Sequence, residues 1–400
     1  MERPKLRNVE RIPLSRAGEA LLVLRDPMGL AEPFAIDAEF APVLDALDGR
    51  RTLTQVRQSL AMTGGLVLDA ADFEAFVAQL GEAGLLDDDR FRERWAAAHE
   101  AFLAAPSRAP ILADVLYAAD PIALRQELAV LGAAESLAQG GPARAIVLPH
   151  APIDLAAPEL RAALGALPPA ASLDAVILLG ADHHPGLLPY ALCDRPYATP
   201  LGTTAIAGDV VDALRRRLPW IDREAIRHRA SHSLEWAVLA LQHAWGGAMP
   251  KVVPLLAGAT VVGKDDRLHD AVGELVATLE ALMEDAAVLI VGAAELTHAG
   301  PAYGRPALDD AARAELAGRD VEVLAALCRG RTRELLARAD DRLGQGRPSG
   351  LPVLATLCEL CTEVRGEVLA QRLAPLPAPA SGVVGLAAVR FADGVRAHGH

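Results

Sequence analysis

The sequence predicts an α/β fold. Its main part is a mixed, largely parallel sheet flanked by helices, preceded by a small winged-helix-like α+β domain. Three stretches predict the sheet. Ala145 to His150 reads Ala-Ile-Val-Leu-Pro-His, and Ala175 to His184 reads Ala-Val-Ile-Leu-Leu-Gly-Ala-Asp-His-His. Leu289 to Gly300 reads Leu-Ile-Val-Gly-Ala-Ala-Glu-Leu-Thr-His-Ala-Gly. Each contains a continuous apolar run, the mark of a strand buried on both faces. Each delivers a histidine where the run stops. Open α/β sheets bind ligands beyond the carboxyl ends of their strands, so the chain reads as organised around that edge.

Composition sets the bounds. The 400 residues are 52% hydrophobic but only 4% aromatic, so the core is built from Ala, Leu and Val, with room for two or three domains. A net charge of −13 argues against a broad nucleic-acid or anionic-membrane surface. Residues 1–16 have no apolar segment of the signal-peptide kind, and no apolar run is long enough to span a membrane. Cys193, Cys328, Cys358 and Cys361 are too few and too scattered for a disulfide framework, which fits a reducing cytoplasm. Cys358 and Cys361 form a C-x-x-C, but 351–364 is apolar at helical spacing. They are expected as two core thiols on one buried face.

Taken in order, residues 1–90 form a separate module. Ala20-Leu-Leu-Val-Leu and Phe34-Ala-Ile-Asp are strand-like, with Asp26-Pro-Met-Gly as the turn between them. Helical patterns follow over 38–47, 52–62 and 69–83, the last ending at Gly84. Ile36-Asp37, Leu47-Asp48-Gly49-Arg50-Arg51-Thr52-Leu53 and the terminal Gly84-Leu85-Leu86 resemble the PqqD-like family over most of residues 10–88. That resemblance implies a domain that captures a peptide by adding it to a sheet edge. The alternative is a winged helix used only for packing or dimerisation. A DNA-binding winged helix is disfavoured, because Asp and Glu offset Arg50-Arg51.

Residues 91–106 are expected as a connecting helix and linker, punctuated by Pro106 and Pro110. Helical patterns then fit 121–137, 158–167, 208–218, 234–245, 266–283, 307–329, 332–340 and 351–369. Strands fit 145–149, 175–180, 252–257, 286–293 and 383–391. This alternation implies helices on both faces of one sheet over 107–400.

The chemistry gathers at the strand ends. His150, His183, His184 and His298, with Glu295, bring imidazoles and a carboxylate to one edge. A lone strand-end histidine is more often a hydrogen-bonded structural residue. Three on three neighbouring strands point to a divalent transition metal. Ser231-His232-Ser233-Leu234-Glu235 precedes an apolar helix. Ser231 can cap it, and His232 and Glu235 would share a face at i, i+3. Gly258-Ala-Thr-Val-Val-Gly263-Lys264-Asp265 nearly matches a phosphate-binding loop, but Asp265 stands where a hydroxyl should hold Mg²⁺, so a simple turn is the better reading. Neither G-x-S-x-G nor G-x-G-x-x-G occurs, so serine hydrolase and dinucleotide readings lose their main support.

At these residues the chain resembles the Memo family, whose bacterial members are called AmmeMemoRadiSam system protein B. Arg108-Ala-Pro-Ile-Leu-Ala-Asp-Val-Leu-Tyr117, Pro149-His150-Ala151, Leu179-Gly180-Ala-Asp-His183-His184, Thr199-Pro200-Leu201-Gly202, His232-Ser233-Leu234-Glu235 and Glu295-Leu-Thr-His298 carry the resemblance, in order, over about 107–391. The family is similar in fold to class III extradiol dioxygenases. The resemblance implies a metal held by His150, His183 and His298, most simply Fe(II), with Cu or Zn as alternatives. Glu295 would stand for the family's Asp. His184 or His232 would be the acid/base group. Departures from the family pattern are Pro152-Ile153, Asp182, Ser231 and Glu295, and no cysteine stands near Gly344–Pro348. The expected function is non-haem redox or oxygenase-type chemistry, with residues 1–90 recruiting a peptide or partner protein. Two alternatives stand beside it: a non-catalytic metal-binding scaffold, and a zinc-dependent hydrolase. Neutral histidines are needed for ligation, so binding is expected to weaken below about pH 6.

Overall fold

The computed structural model describes residues 3–16, 19–64, 66–132, 143–184, 186–262, 266–341, 344–362 and 364–392. Gly263-Lys264-Asp265, His398–His400 and positions 133–137 of the helix expected over 121–137 lie outside them. The chain divides into two compact units, Met1–Ala105 and Pro106–His400.

The first unit has an antiparallel sheet in the order β1 (Glu10–Arg16), β2 (Glu19–Arg25), β3 (Phe34–Asp37). Four helices follow: α1 (Ala41–Ala46), α2 (Leu53–Gly64), α3 (Ala70–Glu82) and α4 (Asp89–Ala104). Asp69 caps α3 by accepting from the Ala71 and Asp72 N–H groups, and Asp88 caps α4 by accepting from Phe91 N–H. Leu24, Val43, Leu44, Val56, Leu80 and Leu85 form its core.

The second unit is built on an eight-stranded sheet. Its elements run α5 (Pro121–Leu128), β4 (Ala143–Leu148), α6 (Ile153–Gly165), β5 (Ala175–Ala181), β6 (Tyr190–Leu192), β7 (Ala198–Thr199), β8 (Gly202–Thr203), α7 (Gly208–Arg217), α8 (Arg227–Ala230), α9 (Ser233–Trp245) and β9 (Val252–Ala257). They continue through α10 (Asp266–Asp285), β10 (Val288–Ala293), β11 (His298–Ala299), α11 (Asp310–Cys328), α12 (Thr332–Arg338), α13 (Leu351–Leu360), β12 (Arg365–Pro375) and β13 (Val383–Ala392). The strand order is β11-β13-β4-β10-β5-β9-β6, with β12 added on β13. The central strands β4, β10, β5 and β9 are mutually parallel. The outer strands β13, β12, β11 and β6 pair antiparallel. This is the mixed, largely parallel sheet read from the sequence.

Alternation puts successive side chains on opposite faces. Ala145, Val147, Ile177 and Leu179 pack with α7, α10, α11 and α13. Ile146, Leu148, Val176 and Leu178 pack with α5, α6 and α9. Both faces are therefore covered, which is why these strands read as unbroken apolar runs.

The helix expected over 351–369 stops at Leu360, and Arg365–Pro375 is a strand. The main chain there pairs with β13 over ten residues, with a register shift at Val368/Ala370. Long-range pairing overrides the local helical spacing. Cys358 and Cys361 are both core residues, and burial pushes their thiols up to about 11 and about 12, so both stay protonated. No described helix is long and apolar enough to cross a membrane.

Candidate metal centre

Strand register explains why distant histidines meet. Leu148, Ala293 and Gly180 are aligned partners at the carboxyl ends of β4, β10 and β5. Two residues further, His150 and Glu295 stand side by side; three beyond Gly180 stands His183; and His298 follows on β11. His232 arrives at the start of α9, a helix that covers one face of the sheet. Gly180 lets it approach: a Cβ there would lie 2.6 Å from Ser233 Oγ and Leu234 Cγ. A methyl at that position would lift the first turn of α9, and His232 with it, off the strand.

His150 Nε2 and His183 Nε2 face each other at 3.0 Å. The His183 and His232 rings stack with centroids 4.9 Å apart and 15° between planes. One ring nitrogen from each of His150, His183 and His232 lies within 4.8 Å of the others. Glu295 completes the floor. Its Oε2 is 2.9 Å from His298 Nε2 and 3.6 Å from His150 Nε2. Tyr303 stands edge-on to His298, with centroids 4.8 Å apart.

Electrostatics keep the trio neutral. Burial lowers the pKa of His150 and takes that of His232 down to about 3, with neighbouring imidazoles adding to the effect. Desolvation, His150 and His232 all lower His183, although its position at the rim limits the first of these. Burial opposes charge on Glu295, but His150 and His298 outweigh it and hold the carboxyl at about 2. Burial likewise opposes charge on His298, and the hydrogen bond to Glu295 overcomes it, so its pKa is raised. The result is three neutral imidazoles beside a fixed carboxylate, the donor set that a divalent transition metal takes. The 3.0 Å separation of the facing nitrogens suits two ligands at about 2.1 Å from one ion. His150, His183 and His232 could therefore hold a metal ion, with the Glu295 carboxylate close by.

Other expected positions are placed differently. The His184 ring is bonded through Nε2 to the Ala230 carbonyl at 2.9 Å rather than to the other imidazoles. Asp182 adds no free charge beside His183, because it pairs with Arg227 and accepts the His184 N–H. Ser231 does not cap α9; its hydroxyl meets that of Ser233, and His232 holds the cap position without a side-chain cap bond. Glu235 meets His232 only through the main chain, its N–H donating to the His232 carbonyl at 3.1 Å, and its carboxylate turns away. It pairs instead with Arg108 and accepts from the Ile111 and Leu112 N–H groups and the Tyr117 hydroxyl. This network leaves no local signal in the sequence, since Glu235 lies more than a hundred residues from its partners. An open pocket of about 750 Å³ leads to the cluster, with Tyr117, Trp236 and Tyr303 in its walls.

A family model described as Memo-like protein matches residues 108–389. The chain is 29% identical over 340 residues to "MEMO1 family protein TTHA0924" of Thermus thermophilus, covering 84% of this chain and 97% of that protein. A "MEMO1 family protein" of Aquifex aeolicus is 24% identical over 287 residues, covering 71% of this chain and 73% of that protein. The crystal structure of the uncharacterized protein JW3007 from Escherichia coli K12 is similar with a TM-score of 0.39 and 17% identity, over 62% of this chain and 98% of that one.

Proposed function

The chain belongs to the Memo family, and from that premise we propose that it is a metal-dependent protein of oxygenase-like or other redox type, with Fe(II) as its ion. The observation that carries this reading is the convergence of His150, His183 and His232 near the Glu295 carboxylate, with His150, His232 and Glu295 lining an open pocket. The bound ion would supply a Lewis acid with positions open to substrate or dioxygen. The sequence grouped His298 with His150 and His183. The geometry favours His232 as the third ligand, since His298 Nε2 is engaged by Glu295. Glu295 neutralises charge at the floor, and His298 holds a proton on Nε2 toward it, placed to pass that proton to a group bound in the pocket. Trp236 and the neighbouring apolar side chains exclude water from one side.

In the same reading the first unit recruits a peptide or partner chain. Support comes from the resemblance over residues 10–88 and from a three-stranded sheet that ends in β1 and β3, each paired on one side only among the described residues.

Two expected results test the proposal. Protein loaded with Fe²⁺ without air should consume dioxygen when air is admitted, faster than a His150→Ala/His183→Ala/His232→Ala variant carrying the same added iron. Equal uptake would contradict redox chemistry at this site. Metal retention should also run to lower pH than ordinary imidazoles allow. Because the folded-state pKa values of the three histidines lie below 6.5, each stays neutral as pH falls through 6.5, and protons displace the ion only nearer the depressed values. The metal retained after dialysis should be flat from about pH 8 to about pH 6 and fall below about pH 5. Half-release at pH 6.5 or above would contradict the neutral trio.

A further inference from the structure

The pocket above the histidines has a one-sided charge pattern. Asp114, Glu127 and Asp154 stand on its rim and Glu295 at its floor, and among the described residues neither lysine nor arginine lines it. Each rim carboxylate is exposed and held by a backbone N–H. Asp114 Oδ1 accepts from Ala119 N at 2.9 Å, Glu127 Oε2 from Ala118 N at 3.2 Å, and Asp154 Oδ1 from Leu155 N at 2.9 Å. Such bonds orient a carboxylate and leave its charge in place. None of the three has a lysine or arginine partner among the described residues. Elsewhere in this unit Asp182, Asp194, Glu159 and Glu235 are each covered by an arginine. Beside the acids, Val115 is 70% and Leu116 53% exposed, and Leu155 and Leu376 continue the apolar wall.

We infer that this pocket takes a substrate carrying an amine or guanidinium group on an apolar body. The inference rests on the reading of the pocket as the substrate site of the centre. At the rim an anionic substrate would meet three carboxylates and, among the described residues, no lysine or arginine. A cationic head would exchange water for one or two rim carboxylates, which low-dielectric walls make more effective at drawing it in. Its apolar body would cover Val115 and Leu116, which otherwise stand in water. Glu295 is left to the histidines.

The test uses three probes of one shape, 4-phenylbutylamine, 4-phenylbutyrate and 4-phenylbutanol, titrated by calorimetry at low ionic strength into the metal-free full chain. The amine should bind about tenfold more tightly than the acid, the scale of two or three partly exposed charge contacts. Because a chain of net charge −13 attracts cations everywhere, two variants are compared. Asp114→Asn/Glu127→Gln/Asp154→Asn should reduce the preference to about twofold or less. Asparagine suits position 114, where φ is 59°. Glu280→Gln/Glu284→Gln/Glu315→Gln, at three exposed acids away from the pocket, should leave it unchanged. Circular dichroism of both variants checks folding. An amine that fails to bind at millimolar concentration, binds no better than the acid, or keeps its preference in the rim variant would overturn the inference. So would equal loss in both variants. The metal-free chain separates the two readings. Amine selectivity without any metal uptake would sink the metal proposal alone, and metal uptake without amine selectivity would sink this inference alone.

Discussion

Substituting Arg108 by alanine should destabilise the second unit by about 3–5 kcal/mol, the cost of leaving one member of a buried ion pair behind. Arg108 is 1% and Glu235 0% exposed. The guanidinium bonds Glu235 through Nη1, the His228 carbonyl through Nε at 3.0 Å and the Ser231 carbonyl through Nη2. Its loss strands a carboxylate in the core and deprives two buried carbonyls of a donor. Ser231 immediately precedes His232, so the same contact fixes the turn that carries a proposed ligand. Arg108→Met/Glu235→Leu, which removes both charges, should recover the part of the loss that comes from the stranded carboxylate but not the part that comes from unpaired N–H, O–H and carbonyl groups. Chemical denaturation reads both. A loss under about 1 kcal/mol for the alanine variant would mean that the pair is screened by solvent and does not organise this end of the sheet.

Single alanine substitutions at His150, His183 and His232 should each weaken metal binding more than the 10–100-fold typical of an outer partner of a metal ligand. His298→Ala should fall within that range, because His298 orients Glu295 rather than completing the trio. The ordering follows from ring positions. His150 and His183 face each other at 3.0 Å and His232 stacks on His183, while His298 spends its Nε2 on Glu295. Competition with a chelating dye of known affinity measures all four. If His298→Ala lost more than His232→Ala, the grouping read from the sequence would be the right one.

Much of this was legible in the sequence. Strands β4, β5 and β10 announced themselves because burial on both faces demands unbroken apolar runs. Their histidines could be assigned to one edge because parallel strands end on the same side. What stayed hidden was non-local. Among the described residues strand β12 pairs with β13 alone; it is half-exposed along most of its length, and so lacks a continuous apolar signature. The Arg108–Glu235 pair spans 127 positions. Its partner segment shows no periodicity that would mark it, and Glu235 at i+3 from His232 invited a local pairing that the fold does not make. Asp182 looked like a charge added to the site because Arg227, which neutralises it, comes from α8, a single short turn without an amphipathic pattern.

The most direct test of the central claim is an anaerobic titration of the metal-free full chain with Fe²⁺, counting bound iron per chain, beside the His150→Ala/His183→Ala/His232→Ala variant. The account predicts one ion per wild-type chain and none in a variant whose circular dichroism is unchanged. Wild-type protein that binds no iron, or a folded variant that binds it equally well, would mean that these histidines do not form a metal site.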